Sequence, residues 1–154
     1  MKLKRAVFAL AVLFAVAGVC AAQNPHMGTW KLNESKSKFS PGASKNNTVV
    51  YEAAGDMIKV TVDGVDGSGS PTHNEWTGRF DGKDYAETGN PTADMRSYRR
   101  INSRRLALRE KKGGKVVTSG TITVSRDGKS RTVATSGIDA KGRRFHNVAV
   151  YDKQ

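Results

Sequence analysis

Beyond Gln23, no window of this chain carries apolar residues at helical spacing for three turns. What recurs is a short segment rich in Thr, Val, Tyr and Ile, followed about every 8–14 residues by a Gly- or Asp-rich turn. The turns read Ala54-Gly55-Asp56, Gly67-Ser68-Gly69, Asp81-Gly82, Asn90-Pro91, Asn102-Ser103, Gly113-Gly114, Asp127-Gly128 and Lys141-Gly142. Gly reaches the positive φ that tight hairpins demand, and Asn or Asp tolerates it. The segments between turns alternate in character. Ile58, Val60 and Val62 share one face, Asn74, Trp76, Gly78 and Phe80 another, and Leu106 and Leu108 a third. Period-two alternation means one buried and one wet face per strand.

The pattern predicts strands near 27–32, 47–53, 57–65, 71–80, 83–88, 94–101, 104–112, 115–125, 129–138 and 143–152. So many sequential antiparallel strands leave long open edges unless the sheet closes. The expected fold class is therefore all-β, an antiparallel up-and-down β-barrel of about eight to ten strands. Asn33–Asn46, with Pro41 and Gly42, is the one long loop and is positioned to cover a barrel mouth.

The first 22 residues have another character. Lys2, Lys4 and Arg5 precede an uncharged run from Ala6 to Val19, and Ala22 offers a small-residue exit, the layout of a secretory signal peptide. The run is shorter than the roughly 20 apolar residues of a membrane span. The expected organisation is a signal peptide over 1–22, with a signal helix, and a single barrel domain over 23–154. The product is expected to be exported, periplasmic or secreted. Ala17-Gly18-Val19-Cys20 partly matches a lipoprotein cleavage box, so a lipid anchor on Cys20 is the alternative. Without the leader the single Cys is gone, and the net charge drops from +12 to +9 as three basic residues leave. An exported basic protein seldom meets nucleic acid, so no nucleic-acid partner is expected. Anionic envelope polymer or lipid headgroups are better candidates.

Gly28-Thr29-Trp30-Lys31-Leu32, followed by an all-strand meander that ends in Val148-Ala149-Val150-Tyr151, resembles the Gly-x-Trp opening of the calycins, the lipocalin and fatty-acid-binding superfamily. The chain is similar to an exported bacterial lipocalin-like protein. The resemblance implies a closed barrel around a cavity for a small apolar molecule. It implies that Trp30 packs structurally across the closed end, beneath an Arg from a late strand, for which Arg143 and Arg144 are the candidates. Two departures stand out. Residues 33–46 are too few for the two-helix lid of the intracellular members, and the last strand lacks their carboxylate-holding Arg-x-Tyr. That motif occurs instead at Arg96-Ser97-Tyr98.

Arg96, Tyr98 and Arg100 alternate onto one face of the sixth strand, where a guanidinium fork and a phenol can hold a carboxylate or phosphate. The opposite arrangement puts Met95, Ser97, Arg99 and Ile101 inside. Trp76, Phe80 and Asn74 make an aromatic face with one polar handle, suited to an amphipathic ligand or to plain core. Tyr51 and Tyr151 are equally able to line a cavity or close a strand pairing. His26, His73 and His146 show no ligand spacing, so no metal site is assigned. His73 and Glu75 share a face and could form an acid–base pair. No Ser nucleophile motif, phosphate-binding loop or paired-carboxylate signature is present, and no catalytic residue or cofactor is assigned. The leading expectation is a monomeric binding protein holding a small lipophilic or amphipathic molecule among Tyr51, Asn74, Trp76, Phe80, Arg96, Tyr98 and Tyr151. The alternative is a filled barrel whose basic surface contacts anionic envelope polymer or lipid headgroups. Enzymatic action at the barrel mouth is a third.

Overall fold

A computed structural model describes residues 23–154. The expected signal peptide, its helix and Cys20 lie outside the described residues. Ten strands follow one another: β1 (Gly28–Leu32), β2 (Lys45–Ala54), β3 (Met57–Val65), β4 (Pro71–Gly78), β5 (Tyr85–Thr88), β6 (Met95–Asn102), β7 (Arg105–Lys112), β8 (Lys115–Val124), β9 (Ser130–Ile138) and β10 (Arg144–Lys153). Every neighbour pairs antiparallel, and β1 also pairs with β10, with Leu32 opposite Tyr151, so the sheet closes and no edge is left. The one helical element among the described residues is a 3-10 turn, Glu34–Lys36. No helix among them is long and apolar enough to cross a membrane.

The fourth and fifth strands are shorter than the alternation predicts. Between Arg79 and Asp84 only an isolated bridge to β6 remains, Asp81 opposite Arg99, while the Asp81 carboxylate accepts from the Lys83 N–H at 3.0 Å and from the Tyr85 hydroxyl at 2.8 Å. A local side-chain acceptor thus competes with the ladder for the backbone, which alternation does not report. Just before this stretch, a Cβ on Gly78 would lie 2.5 Å from the Trp76 ring and 2.6 Å from Tyr85, so only a glycine lets those two rings meet there.

Alternation sorts the side chains as expected. Trp30, Val49, Tyr51, Val60, Val62, Trp76, Tyr98, Leu106, Leu108, Ile122, Val124, Ala149 and Tyr151 form one buried cluster inside the barrel. The up-and-down path puts the turns after β2, β4, β6 and β8 at one end, together with both ends of the described chain. That end is closed. Trp30, Leu106, Val124 and His26 are fully buried there, and the Trp30 indole N–H donates to the His26 carbonyl at 2.9 Å. The turns after β3, β5, β7 and β9, and the loop after β1, stand at the opposite, open end.

His26 carries a cost. Both its ring nitrogens are buried without partners. Burial, reinforced by Arg131, Arg100 and Lys153, lowers its pKa from 6.5 to about 4. A depressed folded pKa means that the unfolded chain binds the proton first, so stability is lost as pH falls from 6.5 towards 4. The loss amounts to about 3 kcal/mol at most. His26→Phe is expected to remove this component and keep the edge-on packing against Phe80. Urea midpoints at pH 7 and pH 4 would check it: the gap between them should narrow in the variant.

Candidate functional site

Above the closed end the barrel is hollow. A cavity of about 1010 Å³ opens at the end of the β3–β4, β5–β6 and β9–β10 turns. Its wall is more apolar than polar, with Val49, Val62, Leu108, Ile122, Val133 and Ala149 set among Thr72, Thr118, Thr135 and Asn147. The loop after β1 lies along its rim: Ser40 donates its N–H to the Asn147 side chain at 2.9 Å, and Lys38 bridges Val148. A Cβ on Gly67 would stand 2.1 Å from the Gly42 carbonyl oxygen, so a glycine in the β3–β4 turn is what lets the loop approach so closely. The long loop therefore borders the mouth, as its position in the sequence suggests.

Two polar groups reach the cavity from opposite sides of the barrel. The first is centred on Arg96 of β6, which is 4% exposed. Its Nη2 donates to Glu87 at 2.5 Å, to Glu110 at 2.9 Å and to the Asn74 carbonyl at 3.3 Å, and Nη1 donates to the Tyr98 hydroxyl at 3.3 Å. Register explains the meeting: Arg96 faces Glu110 across β6–β7 and Tyr85 across β5–β6, while Glu87 faces Trp76. Burial pushes the Glu87 carboxyl up, Arg96 pulls it down and Glu110 pushes it up again, with a net rise. For Arg96, burial works against the charge, but Tyr98, Glu110 and Glu87 outweigh it and hold the guanidinium protonated. The Tyr98 hydroxyl is raised well above its ordinary value, first by burial.

The second group is Arg131 of β9, opposite Tyr151 and Val124, 2% exposed and on the cavity lining. Its guanidinium lies 4.8 Å from the Trp30 ring centroid and 4.9 Å from those of Tyr51 and Tyr151. Among the described residues no carboxylate comes within salt-bridge distance, and Nε and Nη1 are buried with no hydrogen-bond partner. Burial raises the Tyr151 hydroxyl to about 12, against the pull of Arg131.

Of the residues singled out from the sequence, Tyr51, Asn74, Arg96, Tyr98 and Tyr151 line the cavity. Trp76 and Phe80 do not. Trp76 donates its indole N–H to the Arg96 carbonyl at 2.9 Å and packs edge-on to Tyr98 and Tyr85, and Phe80 packs against His26, Tyr51 and Tyr98. They belong to an aromatic layer towards the closed end. On β6, Arg96 and Tyr98 point inward while Met95, Arg99 and Ile101 are exposed; Ser97 is buried as well, and Arg100 is exposed, its guanidinium 5.9 Å from the Phe80 ring. Trp30 closes the barrel end, but the arginine against it is Arg131, not Arg143 or Arg144. Those two stand at the open end, where Arg143 pairs with Asp139 at 2.8 Å and Arg144 is exposed, a barrel length from Trp30. Sequence reasoning missed Arg131, Glu87 and Glu110. Ser130-Arg131-Thr132-Val133 reads equally well in either orientation, and a lone Glu on a strand has no signature.

The histidines lie apart. His26 is on the floor, while His73 on the outer face of β4 bonds Asp63 at 2.6 Å, next to Glu75, which pairs with Lys59 at 2.9 Å. The His73–Glu75 pair is thus tied into exposed surface contacts. Among the described residues no group of three His, Cys, Asp or Glu is placed to hold a metal ion.

No family model matches the chain. No curated protein matches it either. Among solved structures, the chain is similar to one described as EF1p2_mFAP2b bound to DFHBI, with 10% identity, a TM-score of 0.46, and coverage of 84% of this chain and 94% of that one.

Proposed function

We propose that this protein is an exported, calycin-like barrel, made with a signal peptide over 1–22 and a single barrel domain over 23–154, that holds one small amphipathic molecule in its cavity. The observation that carries the reading is the pairing of a hollow, largely apolar interior with an unmatched cation at its base. A cavity of about 1010 Å³ suits a ligand of modest size. The apolar part of its wall supplies affinity through burial, at roughly 25 cal/mol per Å² removed from water.

Arg131 supplies the polarity. A buried guanidinium without a carboxylate costs several kcal/mol, and the aromatic faces around it recover part of that. An anionic or strongly accepting group on the ligand would complete the compensation. Arg96 is less suited to that task, because Glu87 and Glu110 already match its charge. It acts in this reading as a polar wall, with Tyr98 and Asn74 offering hydrogen bonds.

Native mass spectrometry of protein taken from the producing cell is the first test, an excess mass lost on denaturation being the expected result. Arg131→Met sharpens it. The variant is expected to fold with an unchanged or higher urea midpoint, because an unpaired buried charge is gone. It should bind dodecanoate at least about tenfold more weakly while keeping its affinity for dodecanol. Equal binding of dodecanoate by both proteins would remove Arg131 from the site. A bare mass, with neither amphiphile bound, would end the cavity reading.

A further inference from the structure

Two of the hairpin tips at the open end present a surface that the cavity alone does not explain. Val116 and Ile138 are 51% and 53% exposed, the two most exposed large apolar residues among those described. They stand at the ends of neighbouring strands. Thr118 of β8 pairs with Gly137 of β9, and a Cβ on Gly137 would lie 2.0 Å from the Val117 carbonyl oxygen, which places the ends of the two strands in contact. Around them are Lys112 and Lys115, directly paired across the β7–β8 turn, and Arg144, paired with Ile138. Lys141 stands in the next turn. None of these four cations has a carboxylate partner within salt-bridge distance among the described residues. The nearby acids are already engaged: Asp94 accepts the Gly113 N–H at 2.9 Å, Asp84 pairs with Lys111 at 2.6 Å, and Asp139 holds Arg143. Val117, Ile138, Lys141 and Arg144 also border the cavity mouth.

We infer that the β7–β8 and β9–β10 tips form a lip that docks the open end of the barrel on an anionic lipid surface. The combination of groups selects lipid over a soluble polyanion. Exposed aliphatic side chains gain nothing from a hydrated polymer, but they lose water on entering the headgroup boundary. The unpartnered lysines and arginines around them are drawn by the negative surface potential of anionic lipids. Docking in this orientation sets the cavity entrance against the membrane, where an amphipathic molecule could pass between bilayer and barrel without crossing water. The lip is independent of what occupies the cavity.

Co-sedimentation of residues 23–154 with phosphatidylcholine vesicles containing about one quarter phosphatidylglycerol tests it directly. Binding is expected to these vesicles and not to pure phosphatidylcholine, and it should weaken as salt rises. The variant Val116→Ser/Lys112→Gln/Lys115→Gln, confined to one tip and away from the cavity lining, should bind about tenfold more weakly while still binding dodecanoate. A second variant, Arg99→Gln/Arg105→Gln/Arg109→Gln, removes cations from the outer face of β6–β7 and should bind close to the original. Failure to bind anionic vesicles, loss in the second variant alone, or preference for dextran sulfate over vesicles would each overturn the lip. If vesicle binding fails and dodecanoate binding persists, the cavity reading survives without it.

Discussion

Replacing Arg96 with Met is expected to destabilise the barrel by about 3–5 kcal/mol at neutral pH. The guanidinium is the shared partner of Glu87, whose side chain is fully buried, and Glu110, which is 15% exposed. Met keeps the volume and removes the charge, so two carboxylates face each other in a low-dielectric interior with nothing to offset them. The loss should depend on pH in a definite direction. Glu87 already has a raised folded pKa, so it favours the folded state below its ordinary value of 4.5, and that contribution disappears as pH rises through the folded value. Without Arg96 the rise is larger, because the guanidinium is what pulls the value down. The variant should therefore regain stability on acidification, and its deficit should be smaller at pH 4 than at pH 7. Urea midpoints for both proteins at the two pH values measure this. A deficit independent of pH would mean that lost packing, not charge, is what Arg96 supplies.

Trp30→Ala is expected to cost a similar amount, about 3–5 kcal/mol, which corresponds to a fall in Tm of about 10–20 °C for a domain of this size. The indole is fully buried at the closed end, donates to the His26 carbonyl and forms one wall of the aromatic box around Arg131. Its removal leaves a cavity beside an unpaired cation, and water entering there would solvate the guanidinium. The double variant Trp30→Ala/Arg131→Met should consequently not recover the loss, since the void remains while the charge that attracted water is gone. Differential scanning calorimetry of both proteins checks the prediction. A Tm within a few degrees of the original in Trp30→Ala would show that the end of the barrel closes without the indole.

The architecture was legible because it rests on local signals. Alternation in Ile58-Lys59-Val60-Thr61-Val62 and in Leu106-Ala107-Leu108 assigned inward faces correctly, and Gly- or Asp-rich turns at short spacing left an antiparallel meander as the simplest path. Closure followed from the need to hide two edges, and the register of β1 with β10 meets it. The candidate site was legible only in part. Tyr51, Asn74, Arg96, Tyr98 and Tyr151 reach the cavity, but Trp76 and Phe80, the most conspicuous aromatic pair in the sequence, pack away from it. Both lie on an apolar face, and facing the interior is not the same as facing its void. Height along the barrel axis separates the two, and it depends on stagger between strands that alternation does not encode.

The sequence by itself determined the strands, most of their turns and the closed antiparallel sheet, because hydrophobic period and turn chemistry act between close neighbours in the chain; the place of Trp30 near its end came from the Gly-x-Trp resemblance alone. Tertiary structure alone decided which charges meet. Glu87, Arg96 and Glu110 come from three strands and form one buried cluster, while Arg131, with nothing in its sequence neighbourhood to mark it, reaches the cavity floor with three aromatic rings and no acid. A strand position specifies a face but not the partner across the barrel. Whether a buried charge is matched or left open to a ligand is set by those distant partners, so it emerges only when the sheet has closed.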